Sequence, residues 1–233
     1  MTDGFPNKPR ILRGAFVEFG LTIPPLVVVF QFNPLQLTRS RSLTFAAPAA
    51  DTGGSTAPLR TIRQFHGTFS DLSDLQKQQM VTVQEQSIGF DLRLDATDRL
   101  DAEDAITENL GIAPQIATLE LMVHPKSESL IGGALDALLG RPDGFSFTRS
   151  ANPPLILFVF GRKRVLPVNI NSMTITETEF SADLNPVRAT VGVNLTVIEG
   201  KSVPYLYSRA MTEAMSALNL AGIADVANVV IPG

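Results

Sequence analysis

Acidic side chains form the densest group of residues that can do chemistry in this sequence, and they lie between positions 91 and 104: Asp91, Asp95, Asp98, Asp101, Glu103 and Asp104. Carboxylates of this kind can hold Mg²⁺ or Ca²⁺. Their spacing fits no calcium loop, because no glycine supplies the sharp turn of an EF-hand, and acids are also favoured where a helix begins. We therefore expect no metal ion and no cofactor. A metal-dependent enzyme that uses this cluster remains the alternative from another functional class.

The nucleophiles and bases of common enzyme sites are sparse. His66 and His124 are the only histidines, they stand apart, and the sequence has no cysteine. A site with several histidines or with thiolate ligands is therefore excluded. No Gly-x-Ser-x-Gly elbow accompanies either histidine. We expect no catalytic residue and no enzymatic activity.

Composition indicates a folded protein whose charge is unevenly distributed. The 233 residues are 44% hydrophobic and 18% charged, which is enough apolar material for one large core. The net charge of −4 divides into +4 over residues 1–70, −9 over 71–145 and +1 over 146–233. Opposed charges of this kind suit head-to-tail contacts between copies or partners, and ordinary solvation of the surface explains them equally well. The basic turn at residues 161–164 is too little to indicate nucleic-acid binding, and no apolar run is long enough to insert into a membrane.

Two stretches near the start predict strands. Residues 26–32 are almost continuously apolar, which is typical of a central strand buried on both faces. Pro34 should end that strand, because proline cannot donate a ladder hydrogen bond. Residues 36–45 then alternate loosely and place Arg39 and Arg41 on the same face as Leu37. We expect this second strand to leave the core and contact a partner.

Further strands follow in the centre and the second half. Residues 88–94 and 187–197 alternate cleanly between apolar and polar, which predicts half-buried strands, and residues 155–160 form a buried run. The apolar frame slips between Ile170 and Met173, which indicates a β-bulge. Residues 169–180 and 187–197 should form a hairpin across the turn that ends at Pro186.

The order of these segments predicts an α+β fold. Residues 1–200 should form one mainly antiparallel β-barrel or sandwich domain, with a flexible loop or arm at 46–58 and an acidic helical insert at 97–140. Within the insert we expect a helix over residues 98–110, another from Pro114 and a third over 130–139. Residues 201–233 should form a C-terminal helical extension that begins near Pro204.

Two segments together resemble a known family. The stretch FQFNPLQLTRSRS at residues 30–42, followed far downstream by ITETEFSADLNPVRATVGVNLTV at 175–197, is similar to the tube-domain proteins of contractile injection systems, which are phage-tail-like particles. The central stretches FDLRLDATDRL and GIAPQIATLELMVHP also look like that family. The matching positions and their basic neighbours are the candidate contact residues: Phe32, Asn33, Pro34, Leu37, Arg39, Arg41, Asn185, Pro186 and Arg188.

The resemblance implies a phage tail-tube type of β-barrel with a structural role. Such a subunit would form a ring with copies of itself, most simply a hexamer, and would join the inner tube protein to the spike-bearing hub and other baseplate proteins. Baseplate members commonly carry a LysM module, and none follows Gly200. An inner-tube subunit and a cap-end adaptor therefore remain open alternatives. The implied location is the cytoplasm, within an assembled particle that can be released or attached to a membrane.

Overall fold

The structure, a computed structural model, describes residues 12–20, 25–48, 61–125 and 152–220. The chain divides into two compact units, of which unit 2 is Arg39–Ser87 and unit 1 comprises Met1–Thr38 and Ile88–Gly233. We number the strands and helices of the described ranges in chain order.

Unit 1 contains most of the strands and four helices. Its elements are β1 (Ala15–Glu18), β2 (Val27–Val29), β6 (Ser87–Asp95), α3 (Thr97–Leu100), α4 (Ala105–Leu110), α5 (Ala113–Val123), β7 (Ile156–Val159), β8 (Val165–Phe180), β9 (Pro186–Val197) and α6 (Val203–Leu220). Strand β3 (Thr38–Ser40) spans the boundary between the units in the chain, and Ser87, the first residue of β6, belongs to unit 2. Unit 2 contains β4 (Leu43–Ala46), α1 (Ile62–His66), α2 (Leu72–Gln78) and β5 (Met80–Val83).

A single large sheet organises unit 1. Its strand order is β2-β1-β7-β8-β9-β6-β3, and the pairings from β2 through β9 are antiparallel. The fold is therefore α+β with mainly antiparallel strands, as the sequence predicted. The expected closed barrel is wrong for the described part of the chain, because β2 and β3 end the sheet on opposite sides.

The core of unit 1 is built around four phenylalanine rings, those of Phe16, Phe30, Phe90 and Phe158. Every pair of these rings has centroids between 5.1 and 6.3 Å apart. Burial of each ring stabilises the fold by roughly 1.5–3 kcal/mol. Helix α5 adds a stripe of buried side chains at helical spacing: Ile116, Leu119 and Met122. One face of the sheet is thus covered by the chain's own apolar side chains.

Unit 2 is small and has its own packing. Helix α1 begins with a capping box in which Thr61 and Gln64 bond each other's backbone N–H groups. Phe65 is buried and contacts Phe69 edge-on, with ring centroids 5.0 Å apart. Strands β4 and β5 pair only with each other and form a two-stranded ribbon whose side chains are all exposed.

Several local predictions are confirmed. Strand β6 buries the expected face, namely Ile88, Phe90, Leu92 and Leu94. Strands β8 and β9 form the predicted hairpin, and the register shifts between Ile170 and Ser172, where the bulge was expected. The C-terminal helix begins at Val203, one residue before Pro204.

Other local predictions are wrong. The apolar run at residues 26–32 gives β2, which lies at the end of the sheet and leaves Val27 and Val29 exposed. Residues 36–45 form two short strands rather than one. The helix expected over 98–110 is broken, because Glu103 has a φ of 54° that no α-helix accommodates. The predicted helix at 130–139, most of the loop at 46–58 and the tail after residue 220 lie outside the described residues.

Candidate assembly interface

Strand β8 extends well beyond the strand on one of its sides. It has 16 residues, and β9 pairs with it from Val168 to Phe180. On the other side, β7 pairs only with Val165 to Val168. Within the described ranges no strand pairs with that side of residues 170–180, and we call this side the open edge. Its backbone N–H and C=O groups are therefore positioned to accept another strand.

Before β9 begins to pair with it at Val168, the start of β8 is bonded by helix α6 as well as by β7. The buried Ser208 hydroxyl accepts a hydrogen bond from the Val165 N–H (2.9 Å) and donates one to the Val165 carbonyl (2.6 Å). Tyr207 donates a second anchoring bond to the Arg162 carbonyl (2.9 Å). Both backbone groups of Val165 are thus satisfied within the chain, and the pairing of β7 up to Val168 confines the open edge to the outer part of β8.

The hairpin presents a polar face along this outer part. Pairs of polar or small residues lie opposite each other across β8 and β9: Ser172 with Asn194, Thr174 with Gly192, and Thr176 with Thr190. Asn171, the extra residue of the bulge, donates to the Thr196 hydroxyl (2.5 Å). These residues suit contact with water or with a polar partner, whereas the apolar side chains of β9 face the core.

Arg188 joins three strands on the polar face. From β9 it donates to Asp95 of β6 (Nε to Oδ2, 2.8 Å) and to Glu179 of β8 (Nη1 to Oε1, 2.5 Å). Burial tends to raise the pKa of Asp95, but hydrogen bonds from Thr97 and from Arg188 outweigh it, and the pKa is lowered. The same bond to Asp95 raises the pKa of Arg188. This candidate residue therefore fixes the hairpin against β6.

Asn185 and Pro186 hold the helical segment against the hairpin turn. Asn185 donates from Nδ2 to the Asn109 carbonyl at the end of α4 (2.7 Å). The Pro186 carbonyl accepts from the Ile112 N–H (2.8 Å). Gly111 makes this approach possible, since a Cβ at its position would lie 2.1 Å from the Pro186 oxygen.

The first motif also fixes the chain locally, through the side chain of Asn33. The Asn33 side chain accepts from the Gly14 N–H (2.9 Å) and donates to the Leu12 carbonyl (2.8 Å), so it fixes the chain just before β1. Leu37 packs against the core, Pro34 is half-buried and Phe32 is exposed. Arg39 and Arg41 are exposed at the start of unit 2. The contacts of Asn33, Asn185 and Arg188 are each made with a different partner, and Arg39 and Arg41 belong to unit 2.

The acidic residues around position 95 are dispersed or engaged. Asp95 is bound by Arg188, and the Asp104 carboxylate accepts from the Thr107 hydroxyl (2.5 Å). Among the described residues, no three His, Asp or Glu side chains are arranged to hold a metal ion. None of the helices there has the length and apolar character needed to cross a bilayer.

Sequence reasoning did not identify which strand has the open edge, and it missed the exposed ribbon of unit 2. Both depend on which strands become neighbours, and periodicity within a strand carries no such information. Comparison with known proteins adds no functional assignment, since no protein-family model and no curated protein matches the chain.

Proposed function

We propose that this protein is a structural subunit of a contractile injection system, which forms a ring that joins the inner tube to the baseplate and spike hub. The observation that carries the proposal is the open edge of β8. A long strand with one unpaired side is a liability for a monomer, because it invites unplanned pairing with other chains. A ring removes the liability, since each copy completes the edge of the next.

The distribution of polarity supports an edge-mediated assembly. The apolar face of the sheet is occupied by the chain's own core, including Phe16 and Leu119, so it is not available for a partner. The opposite face of the hairpin is polar and carries the Arg188 ion pairs. The outer sides of β2 and β3 are also unpaired in the described residues, but each has only three residues, so the open edge of β8 is the longest unpaired backbone of the sheet.

The resemblance of residues 30–42 and 175–197 to tail-tube domains is the reason for proposing a contractile injection system rather than another ring-shaped assembly. Both segments have structural tasks here: Asn33 fixes the start of β1, and Asn185 fixes the hairpin turn to α4. An inner-tube subunit or a cap-end adaptor of the same particle would use the same edge. The ion pair of Asp95 with Arg188 speaks against the metal-dependent enzyme, since it engages one of the acidic residues that would hold the metal.

Electron microscopy of particles from cells that lack this protein tests the role. We expect tubes and baseplates that fail to join, and complementation with the wild-type chain should restore whole particles. A defect confined to the capped end would select the adaptor, and a loss of all tubes would select the inner-tube subunit. Normal particles would reject the proposal.

A further inference from the structure

The tip of the β8–β9 hairpin carries a leucine that folding alone does not explain. Leu184 has a φ of 61° and is 79% exposed. The turn enforces this conformation: Ser181 donates from its N–H to the Asn185 carbonyl (2.8 Å), and the Leu184 N–H donates to the Ser181 carbonyl (3.0 Å). Glycine or asparagine is favoured at such a position, and a bulky residue is strained there. Leu184 thus bears strain without the gain of burial.

Two other exposed apolar side chains are near Leu184. One is close to it in the sequence, and the other is brought close by a hydrogen bond between neighbouring residues. Phe180 ends β8 and is 51% exposed, and Leu110 ends α4 and is 47% exposed. The hydrogen bond between Asn185 and Asn109 brings the end of α4 to the turn, because these residues are the chain neighbours of Leu184 and Leu110. We call Phe180, Leu184 and Leu110 the tip patch.

Acidic residues accompany the tip patch. Glu177, Asp183 and Glu108 are exposed in the same three segments. Arg188, on the neighbouring strand β9, is engaged with Asp95 and Glu179. A partner that fits this surface should present apolar side chains with basic residues beside them.

Unit 2 of the same sequence presents such a surface. The register pairs Leu43 with Val83 and Phe45 with Val81, so these four side chains share one face of the β4–β5 ribbon. Each is between 44% and 52% exposed. Arg39 and Arg41 are exposed immediately before β4 in the chain. We call this face the ribbon patch.

We propose that the tip patch of one copy binds the ribbon patch of a second copy, with Leu184 as the apolar anchor and Asp183 facing Arg39. The contact joins two different surfaces, so it propagates from copy to copy as a ring or a stack. The inference rests on the proposed function in that the partner is another copy of this chain. It adds a side-chain contact that selects the partner, whereas backbone pairing at the open edge would accept many strands.

Replacement of Leu184 by glycine separates this contact from folding. Glycine tolerates the φ of 61°, so we expect Leu184→Gly to keep or raise the free energy of unfolding. Self-association, measured by sedimentation velocity over a range of concentrations, should weaken by about tenfold or more. Leu35→Ala is the matched control, because Leu35 is also highly exposed but belongs to neither patch. Wild-type association of Leu184→Gly would overturn the inference.

A charge reversal identifies the partner surface. Asp183→Arg and Arg39→Glu should each weaken association, because each variant places two like charges opposite each other. The double variant should regain much of the association, because an arginine at position 183 then faces a glutamate at position 39. A double variant that associates no better than either single variant would reject the ribbon patch as the partner. Rings that still form in Leu184→Gly would leave the proposed function standing while this inference fails. A wild-type chain that remains monomeric at millimolar concentration would count against both.

Discussion

Gly111 shows how one residue sets the position of the helical segment. Its φ of 57° and ψ of −129° are combined with a close approach to the Pro186 carbonyl. A Cβ at this site would meet both unfavourable backbone geometry and the carbonyl oxygen. We expect Gly111→Ala to lower the free energy of unfolding by more than about 2 kcal/mol, as measured by chemical denaturation.

Gly161 provides the matched control for this prediction. Its φ is 72°, but nothing lies within 4 Å of an added Cβ. Gly161→Ala should therefore cost only the backbone strain, about 1 kcal/mol. Equal losses in the two variants would show that the contact with Pro186 contributes nothing.

Asp95 makes stability depend on pH through Arg188. The pKa of Asp95 is lowered in the folded protein from its ordinary value of 3.8, since hydrogen bonds from Thr97 and Arg188 outweigh the effect of burial. A lowered pKa contributes stability above the unfolded value, and that stability is lost as the pH falls through the folded pKa. The Asp95 contribution should therefore be complete at pH 7 and disappear at strongly acidic pH.

Arg188→Gln should raise the pKa of Asp95 and reduce the difference in unfolding free energy between pH 7 and pH 2. An NMR titration of the Asp95 carboxyl carbon gives the first quantity, and denaturation at the two pH values gives the second. Arg209→Gln is the control, because Arg209 forms an exposed ion pair with Glu213 of α6 instead. An unchanged Asp95 pKa in Arg188→Gln would contradict this account.

Asn33 marks the limit of prediction at the level of residues. The sequence indicated that the chain turns at Asn33 and Pro34, because proline ends a strand. It did not indicate that the Asn33 side chain bonds Leu12 and Gly14, about 20 residues earlier. A side chain's distant partner depends on the path of the chain between the two, which local pattern does not encode.

At the level of elements, alternating patterns were the reliable signal. Strands β6 and β9 have one apolar and one polar face, so their period of two residues predicts both the strand and the face that it buries. The continuous apolar run that contains β2 gave a wrong prediction of a central, buried strand. Such a run has no alternation between apolar and polar residues, so its burial depends on what packs beside it. Its place at the end of the sheet follows from the pairing of β1 with β7 on the other side.

Strand β8 illustrates the same limit for an assembly surface. Its Thr-rich pattern predicted a hairpin strand and a bulge, and both are confirmed. Its open edge arises because β7 begins at Ile156, opposite Val168, while β8 continues for another 12 residues to Phe180. The difference in length between neighbouring strands is a property of the sheet, and neither strand alone predicts it.

For the whole molecule, the two units and the uneven charge have a common interpretation. The acidic middle of the sequence supplies Glu108 beside the hairpin tip, and the basic first part supplies Arg39 before the ribbon. Contact between such surfaces on different copies, together with pairing at the open edge, would give each copy two distinct neighbours. The sequence predicted opposed charges, but the fold was needed to find apolar side chains beside each of them.

The central claim is that another copy completes the open edge of β8, and a pair of proline variants tests it most directly. Met173 and Thr174 lie in regular register with β9, so one of their N–H groups faces β9 and the other faces the open edge. Proline removes the N–H at its position. Ring formation by Met173→Pro and by Thr174→Pro is measured by electron microscopy of the purified proteins. Circular dichroism of each variant measures whether it keeps its fold.

We predict that one variant loses stability, whereas the other keeps its fold and fails to form rings. Two variants that both fold and both assemble like the wild-type chain would contradict the claim.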